Sequence, residues 1–374
     1  MRKALLLCAA GACVASVVLA AQAGAKSPKA QCSASIGIMG GFTGARAAIG
    51  QEVLHWARFS VARFNARNHT RFRLVEGDIQ VDPAKAATVA QQFASNRKIV
   101  AVIGPDASSA VVVAGPIFTR AHLAFVSASA TRVSLTNGEF PTFSRVVPND
   151  DVQAPTDAAF MVNRLHAKNV VLVDNQTDYS LGLNTGLDAA LRARGVNVTH
   201  ESTTVDQIDF SSLIAKLPAD TDVVFLPLQV PANAQLFAQQ LAQQGKHAIV
   251  FGGDSVFSPA DFHPEGAYVS SFAPDIHQIK ADAALVKAYK ATYGDFASPF
   301  GPPVYAAADV IMRAVVRVCA SRTPTRAAVA AAVRTTRLAR SILGGSFSFT
   351  RTGEPAHARF YVFHVVGGRY RLVR

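Results

Sequence analysis

Residues Lys98–Thr136 read KIVAVIGPDASSAVVVAGPIFTRAHLAFVSASATRVSLT. Two apolar runs stand out, Ile99–Ile103 and Leu123–Val126. Each has the length of a strand buried on both faces, and each breaks abruptly into small polar residues. After the first run come Gly104-Pro105-Asp106-Ala107-Ser108-Ser109 and a helical stretch, Ala110–Arg120, interrupted near Gly115-Pro116. Ser108 and Ser109 then fall at a helix N-terminus, where unpaired backbone N–H groups and the positive dipole end favour an anion. The second run ends in Ser127-Ala128-Ser129-Ala130-Thr131. In an open α/β sheet the carboxyl ends of neighbouring strands share one edge, so both breaks face one crevice. Together they form a carboxylate cradle of hydroxyls and amides that needs no lysine or arginine. The same residue types also serve ordinary loops and helix caps, so this stretch alone leaves both readings open.

Working outward, the flanking sequence alternates strands and helices, which predicts an α/β protein. Before the quoted stretch lie a strand at Ser35–Gly41, a glycine-rich turn from Gly40 to Gly44 and a helix from about Ile49 to Asn65. A second strand covers Arg71–Asp78, and Asp82-Pro83 opens a helix through Phe93, with Asp82 as cap. The glycine turn carries neither the GK[ST] of a phosphate loop nor G-x-G-x-x-G spacing, so a nucleotide is not its natural ligand. Phe42 and Ile49 are the apolar contacts this turn offers a crevice. Phe143–Val147 is a fifth strand, and Pro148-Asn149-Asp150-Asp151 breaks the pattern.

From Pro155 the alternation starts afresh and runs through strands at Asn169–Val173, Val196–Glu201, Asp222–Leu226, Ala248–Gly252 and Gly266–Ser270. This is a second complete unit, so the fold expected is two doubly wound parallel-sheet lobes joined by three crossover segments, with a cleft between them. The partition is 33–148 plus 274–344 for one lobe and 149–273 plus 345–374 for the other, with Gly344-Gly345 marking the last passage. In the second lobe Val173 runs into Asp174–Tyr179, Leu226 into Gln229, and Phe251 into Gly252-Gly253-Asp254. A carboxylate directly after a buried strand and a Gly-Gly turn faces the crevice, where Asp254 would pair with an ammonium; its bland role is a turn cap. Tyr179 would close over a ligand with its ring, or simply cover the lobe.

With 374 residues, half of them hydrophobic, the chain can bury two cores. Its net charge of +12 comes from Lys and Arg spread along the whole length, with no basic block or zinc spacing, so nucleic acid is not an expected partner. Residues 1–23 have a basic start at Arg2-Lys3, an apolar run and the small-residue pattern Ala21-Gln22-Ala23, the layout of a cleaved secretory signal. As a membrane anchor the run is marginal in length. Cys13 sits inside the run, not at its end as a lipoprotein signal would have it. Without the leader 35 basic residues stand against 25 acidic ones, a charge of +10. Export leaves Cys32 and Cys319, which make either one disulfide or two separate buried thiols.

Chemistry of its own is not indicated. The chain has no G-x-S-x-G elbow, no H-E-x-x-H helix and no dinucleotide fingerprint, and His55, His166, His247 and His263 have no paired acid at useful spacing. No cofactor is expected, and no metal site.

In order, the segments SIGIMGGFTG, DIQVDPAKAATVAQQFAS, VAVIGPDASS, FVSASAT, FSRVVPNDD, VVLVDNQTDYSLGL, FSSLIAKL, IVFGGDS and VYAAADVI span the whole mature chain. Their sequence resembles the branched-chain amino-acid (Leu/Ile/Val) type of solute-binding protein of ABC importers, within the type I periplasmic-binding-protein group. The resemblance implies the two-lobe fold with the ligand between lobes, a periplasmic location, and a monomer that delivers a small carboxylated solute, foremost an amino acid, to permease subunits. It implies a carboxylate site at Ser108, Ser129, Ala130 and Thr131, an ammonium site at Asp254, and Tyr179 beside it. The chain departs from the leucine binders at Ala107, which replaces one of their cysteines, at Gln229, where they carry an aromatic residue, and at Phe300-Gly301-Pro302-Pro303, where their side-chain pocket lies. The head group is thus specified and the side-chain preference is open. An aromatic acid, an amide or a urea-like ligand is the alternative, and so is a sensor that binds the same ligand.

Overall fold

The computed structural model describes residues 31–373. The leader expected over 1–23 lies outside them. In chain order the first unit comprises β1 (Ser33–Gly40), α1 (Ala47–Asn68), β2 (Arg71–Asp78), α2 (Pro83–Ser95), β3 (Ile99–Ile103), α3 (Ser108–Arg120), β4 (Ala124–Ser127) and β5 (Phe143–Arg145). The strands form one parallel sheet in the order β2-β1-β3-β4-β5. Parallel strands buried on both faces read as continuous apolar runs, which is why Ile99–Ile103 is buried at every position. Ile38, Ile103 and Val126 point into one core, and Val102, Leu123 and Phe125 into the opposite one, following the period of two.

The second unit comprises α4 (Asp150–Asn163), β6 (Asn169–Asp174), α5 (Asp178–Arg192), β7 (Asn197–Ser202), α6 (Ser211–Lys216), β8 (Val223–Leu226), α7 (Pro231–Gln243), β9 (Ile249–Gly252) and β10 (Tyr268–Ser271). The chain then returns with α8 (Ala283–Tyr293), α9 (Gly301–Cys319) and α10 (Arg326–Arg334), all of which contribute to the first lobe's core. It closes with β11 (Arg337–Leu338), β12 (Phe347–Ser348), β13 (Tyr361–Val366) and β14 (Arg369–Leu372). The second sheet runs β14-β13-β10-β9-β8-β6-β7, parallel except for β13 and β14. That antiparallel pair is a hairpin whose turn, Gly367-Gly368, has both residues at positive φ, the conformation a two-residue hairpin demands.

Three elements depart from the sequence reading. Helix α3 does not break at Gly115-Pro116; it runs to Arg120, because Val111, Ala114 and Phe118 are buried along its length and Gly115 lies where a Cβ would sit 2.7 Å from the Phe140 ring. Pro148–Asp151 is not wholly a break, since Asn149 caps α4 by accepting the Asp151 N–H at 3.0 Å and two acids fill the first turn. The last passage comes later than Gly344-Gly345. Strand β12 pairs with β11, and Phe347 packs in the first lobe's core, so the chain joins the second sheet only at β13.

A disulfide joins Cys32 to Cys319 with a Cα separation of 5.8 Å, tying the entry of β1 to the end of α9. Among the described residues no helix is long and apolar enough to cross a membrane.

Candidate functional site

At the carboxyl ends of β1 and β3 the backbone turns tightly, and acids hold the turns. Asp78, at the end of β2, accepts the Phe42 N–H at 2.9 Å and the Gln80 N–H at 3.1 Å, and Asp106 Oδ2 accepts the Gly41 N–H at 3.0 Å. Gly104 sits at φ +103 where a Cβ would lie 2.3 Å from the Met39 carbonyl, so β3 can leave the sheet here only with glycine. The turn after β1 carries Arg46 to the head of α1, where it is 5 % exposed with its guanidinium 5.2 Å from the centre of the Phe300 ring. Helix α3 begins at Ser108 with no side chain capping its first N–H groups. The Ser108 hydroxyl accepts the Arg132 N–H at 3.3 Å and keeps its own proton to donate.

The second lobe supplies an acid. Asp254, 2 % exposed, accepts the Tyr179 hydroxyl at 2.8 Å. The close approach of β9 to α5 explains the Gly-Gly turn, since a Cβ on Gly253 would lie 2.5 Å from the Tyr179 hydroxyl and 3.2 Å from Pro227 Cα. Tyr179 is not a loose lid. It stands in the first turn of α5, whose start is fixed by a capping box between Thr177 and Ser180.

Ser108, Ser129, Tyr179, Gln229, Asp254 and Phe300 line one cavity, together with Arg46 and Asp106, residues the sequence reading did not mark. The space they enclose is about 20 Å³, room for about one water molecule. The remaining residues expected at the site do not line it. Phe42 packs in the first core, its carbonyl held by Gln51 Nε2 at 2.7 Å. Ala130 gives its N–H to the Ser127 hydroxyl at 3.0 Å. Thr131 is fully buried, its hydroxyl near the Asp150 carboxyl but not in a hydrogen bond of ordinary geometry. Ser129 lines the cavity yet spends its proton on the Asp106 carbonyl at 2.7 Å. A wider space of about 770 Å³ lies at the crossovers between Val146, Phe272 and Gly344, away from these groups.

Carboxyl groups crowd behind the second wall. Burial raises Asp254 to about 6, opposed by its hydrogen bond from Tyr179. It raises Asp150 to about 7, with the nearby Asp254 charge adding to the rise, and pushes Asp157 well above the usual carboxylate range. Asp157 is anchored by the Ser270 hydroxyl at 3.0 Å, itself held by Gln153 Nε2 at 2.8 Å. Burial favours the neutral form of Asp157, whereas Asp254, raised only to about 6, is ionised at neutral pH and favours a cation on its side of the cavity.

One contact bridges the walls. Arg132, after β4, forms an ion pair with Asp178 at the head of α5 and donates from Nη1 to the Asp178 carbonyl at 3.1 Å. The turn behind it is fixed by fully buried Arg145, which donates from Nη1 to the Ala130 carbonyl at 3.0 Å and the Arg132 carbonyl at 2.8 Å, and from Nε to Glu354 at 2.9 Å.

The family profile described as periplasmic binding protein matches residues 33–369. This chain belongs to that family. The new member of the periplasmic binding proteins is 28 % identical to an amino acid binding protein of Pseudomonas aeruginosa, over 74 % of this chain and 75 % of that one. It is 27 % identical to a Leu/Ile/Val-binding protein homologue of Brucella abortus, covering 88 % and 89 % of the two chains. In fold it is similar to a crystal structure of a leucine binding protein from Thermotoga maritima, with TM-score 0.83 at 22 % identity over 91 % of this chain and 98 % of that one. Two lobes with largely parallel sheets are the architecture these proteins share. Among the described residues no cluster of three or more His, Cys, Asp or Glu is placed to hold a metal.

Proposed function

We propose that this periplasmic binding protein captures a small zwitterionic solute, an amino acid, between its lobes outside the cytoplasmic membrane and presents it to the permease of an ABC importer, without chemistry of its own. The observation that carries this reading is the polarity of the two walls. On the first wall, Ser108 lines the cavity at the start of α3, whose first N–H groups no side chain caps. They suit a carboxylate, with the turn of Ser129, Ala130 and Thr131 flanking it. On the second, Asp254 and Tyr179 suit an ammonium group. The spacing of donors on one lobe and an acid on the other means that only a closed pair of lobes holds both ends of the ligand.

The cavity of about 20 Å³ is far too small for an amino acid, so loading has the lobes part and settle around the solute, with the Arg132–Asp178 pair remade on closure. The lobes move as 33–148 with 274–344 and its following β12, against 149–273 with β13 and β14. A thermal-shift screen of the mature chain against amino acids, aromatic carboxylates and amides tests the reading, because a ligand that binds only the folded state raises the melting temperature. A rise with one or more amino acids is expected. No rise with any of them overturns it.

A further inference from the structure

We propose that the ligand's side chain ends in a carboxamide, held between Arg46 and Asp106. This rests on the amino-acid reading above and asks what lies beyond the head group.

Arg46 is a buried guanidinium with no ion-pair partner among the described residues; its Nε is fully enclosed and unpartnered there, and the Phe300 ring is its neighbour. A buried donor left unmade costs more than a made bond returns, and a buried charge costs more still. Asp106 is in the complementary position. Its Oδ2 accepts the Gly41 N–H, while Oδ1, enclosed to the same degree, has no partner. Both side chains line the cavity that also holds Ser108 and Asp254. Arg46 acts on both acids, its charge favouring the ionised forms of Asp106 and Asp254 against the cost of their burial.

The cavity thus presents one unpaired donor and one unpaired acceptor beside the head-group site. An isobutyl or sec-butyl side chain would leave both unpaired and set apolar surface against two charges. A distal carboxylate would satisfy Arg46 and face Asp106 across the same small space. A distal ammonium would do the reverse. A carboxamide offers a carbonyl oxygen to Arg46 and an NH₂ to Asp106, and its planar group separates the two so that each reaches its own partner. The remaining lining is mixed: Gln229 adds a side-chain amide, Ser129 and Ser255 give their protons to backbone carbonyls, and Phe300, Ala107 and the Tyr179 ring supply apolar surface for the ligand's methylenes.

The test is calorimetric titration of the mature protein with L-glutamine, L-asparagine, L-glutamate, L-aspartate, L-leucine and L-isoleucine, repeated on Arg46→Leu. Glutamine or asparagine is expected to bind roughly tenfold or more tighter than the other four, and Arg46→Leu to erase that preference or turn it toward leucine. Leucine, isoleucine or an acidic amino acid binding tightest to the unmodified protein overturns the carboxamide and leaves the amino-acid reading standing. Failure of all six, and of every other amino acid, overturns both. Should Arg46→Leu not fold, the ranking on the unmodified protein decides by itself.

Discussion

Replacing Asp254 with asparagine should move ligand affinity and protein stability in opposite directions. The carboxylate is 2 % exposed, and burial raises it from 3.8 to about 6. At about pH 7.5 it is ionised, and holding that charge costs the folded protein about 3 kcal/mol, at ~1.4 kcal/mol per pH unit of displacement. Asparagine keeps an oxygen to accept from Tyr179 and sheds the charge, so the unliganded Asp254→Asn protein should melt at a higher temperature. The bound ligand fares worse. Its ammonium would be desolvated without a counter-charge, a loss of ~2–5 kcal/mol, or about thirtyfold to several thousandfold in Kd. Calorimetric titration with the tightest amino acid and differential scanning calorimetry of the free protein read the two effects separately. Affinity within about threefold of the original would refute the ammonium role. A variant that loses stability together with affinity would show that Asp254 only holds the wall together.

Ser108→Ala removes one hydrogen bond to a charged group and should weaken binding by ~1.5–3 kcal/mol, roughly ten- to a hundredfold, by calorimetry; an unchanged Kd dismisses the cradle. Because the ligand's ammonium requires ionised Asp254, affinity should fall by about tenfold per pH unit as pH drops below about 6, and a flat profile would contradict this. The free protein should show the reverse trend. Glu52 and Asp150 both rise to about 7 on burial, so between the unfolded values near 4 and about 7 the folded state binds more protons, and the melting temperature should fall as pH rises through that window. A melting temperature that climbs from pH 5 to pH 7 would refute that assignment. Arg132→Ala cuts the bridge to Asp178, and since both side chains are about one-third exposed the loss in affinity should stay below ~1 kcal/mol, expressed as faster ligand release in stopped-flow. A release rate unchanged by the substitution would show that the pair does not hold the lobes closed.

The architecture was legible because parallel strands buried on both faces leave continuous apolar runs, and Ile99–Ile103 could be bounded to the residue; the half-exposed edge strand Arg71–Asp78 was bounded just as closely. Ser108, Tyr179 and Asp254 stand in the turns or helix heads that follow such runs, and the structure brings them to one cavity. What escaped was whatever depends on the third dimension at a turn. Arg46, flanked by alanines, carries no local sign of burial; residues far off in sequence, Phe300 at the head of α9 among them, stand around it. Asp106 reads as part of a loop, and its unpartnered oxygen shows only once the Gly41 N–H is seen on the other. The start of α5 carries no ready signature, because its capping box uses serine where Glu or Gln is usual. Ala130 and Thr131 read as cradle residues from their place after β4; the Ser127 hydroxyl turns back on the loop and takes the Ala130 amide, and Thr131 is buried, so neither lines the cavity.

The central claim is that a zwitterion lies across the cleft in one direction. A crystal structure of the protein with its tightest amino acid tests it most directly. The ligand carboxylate should sit at Ser108 and the head of α3, with the ammonium against Asp254 and both lobes touching the molecule. A ligand bound outside the cleft, or one lying with its carboxylate toward Asp254, would contradict the account.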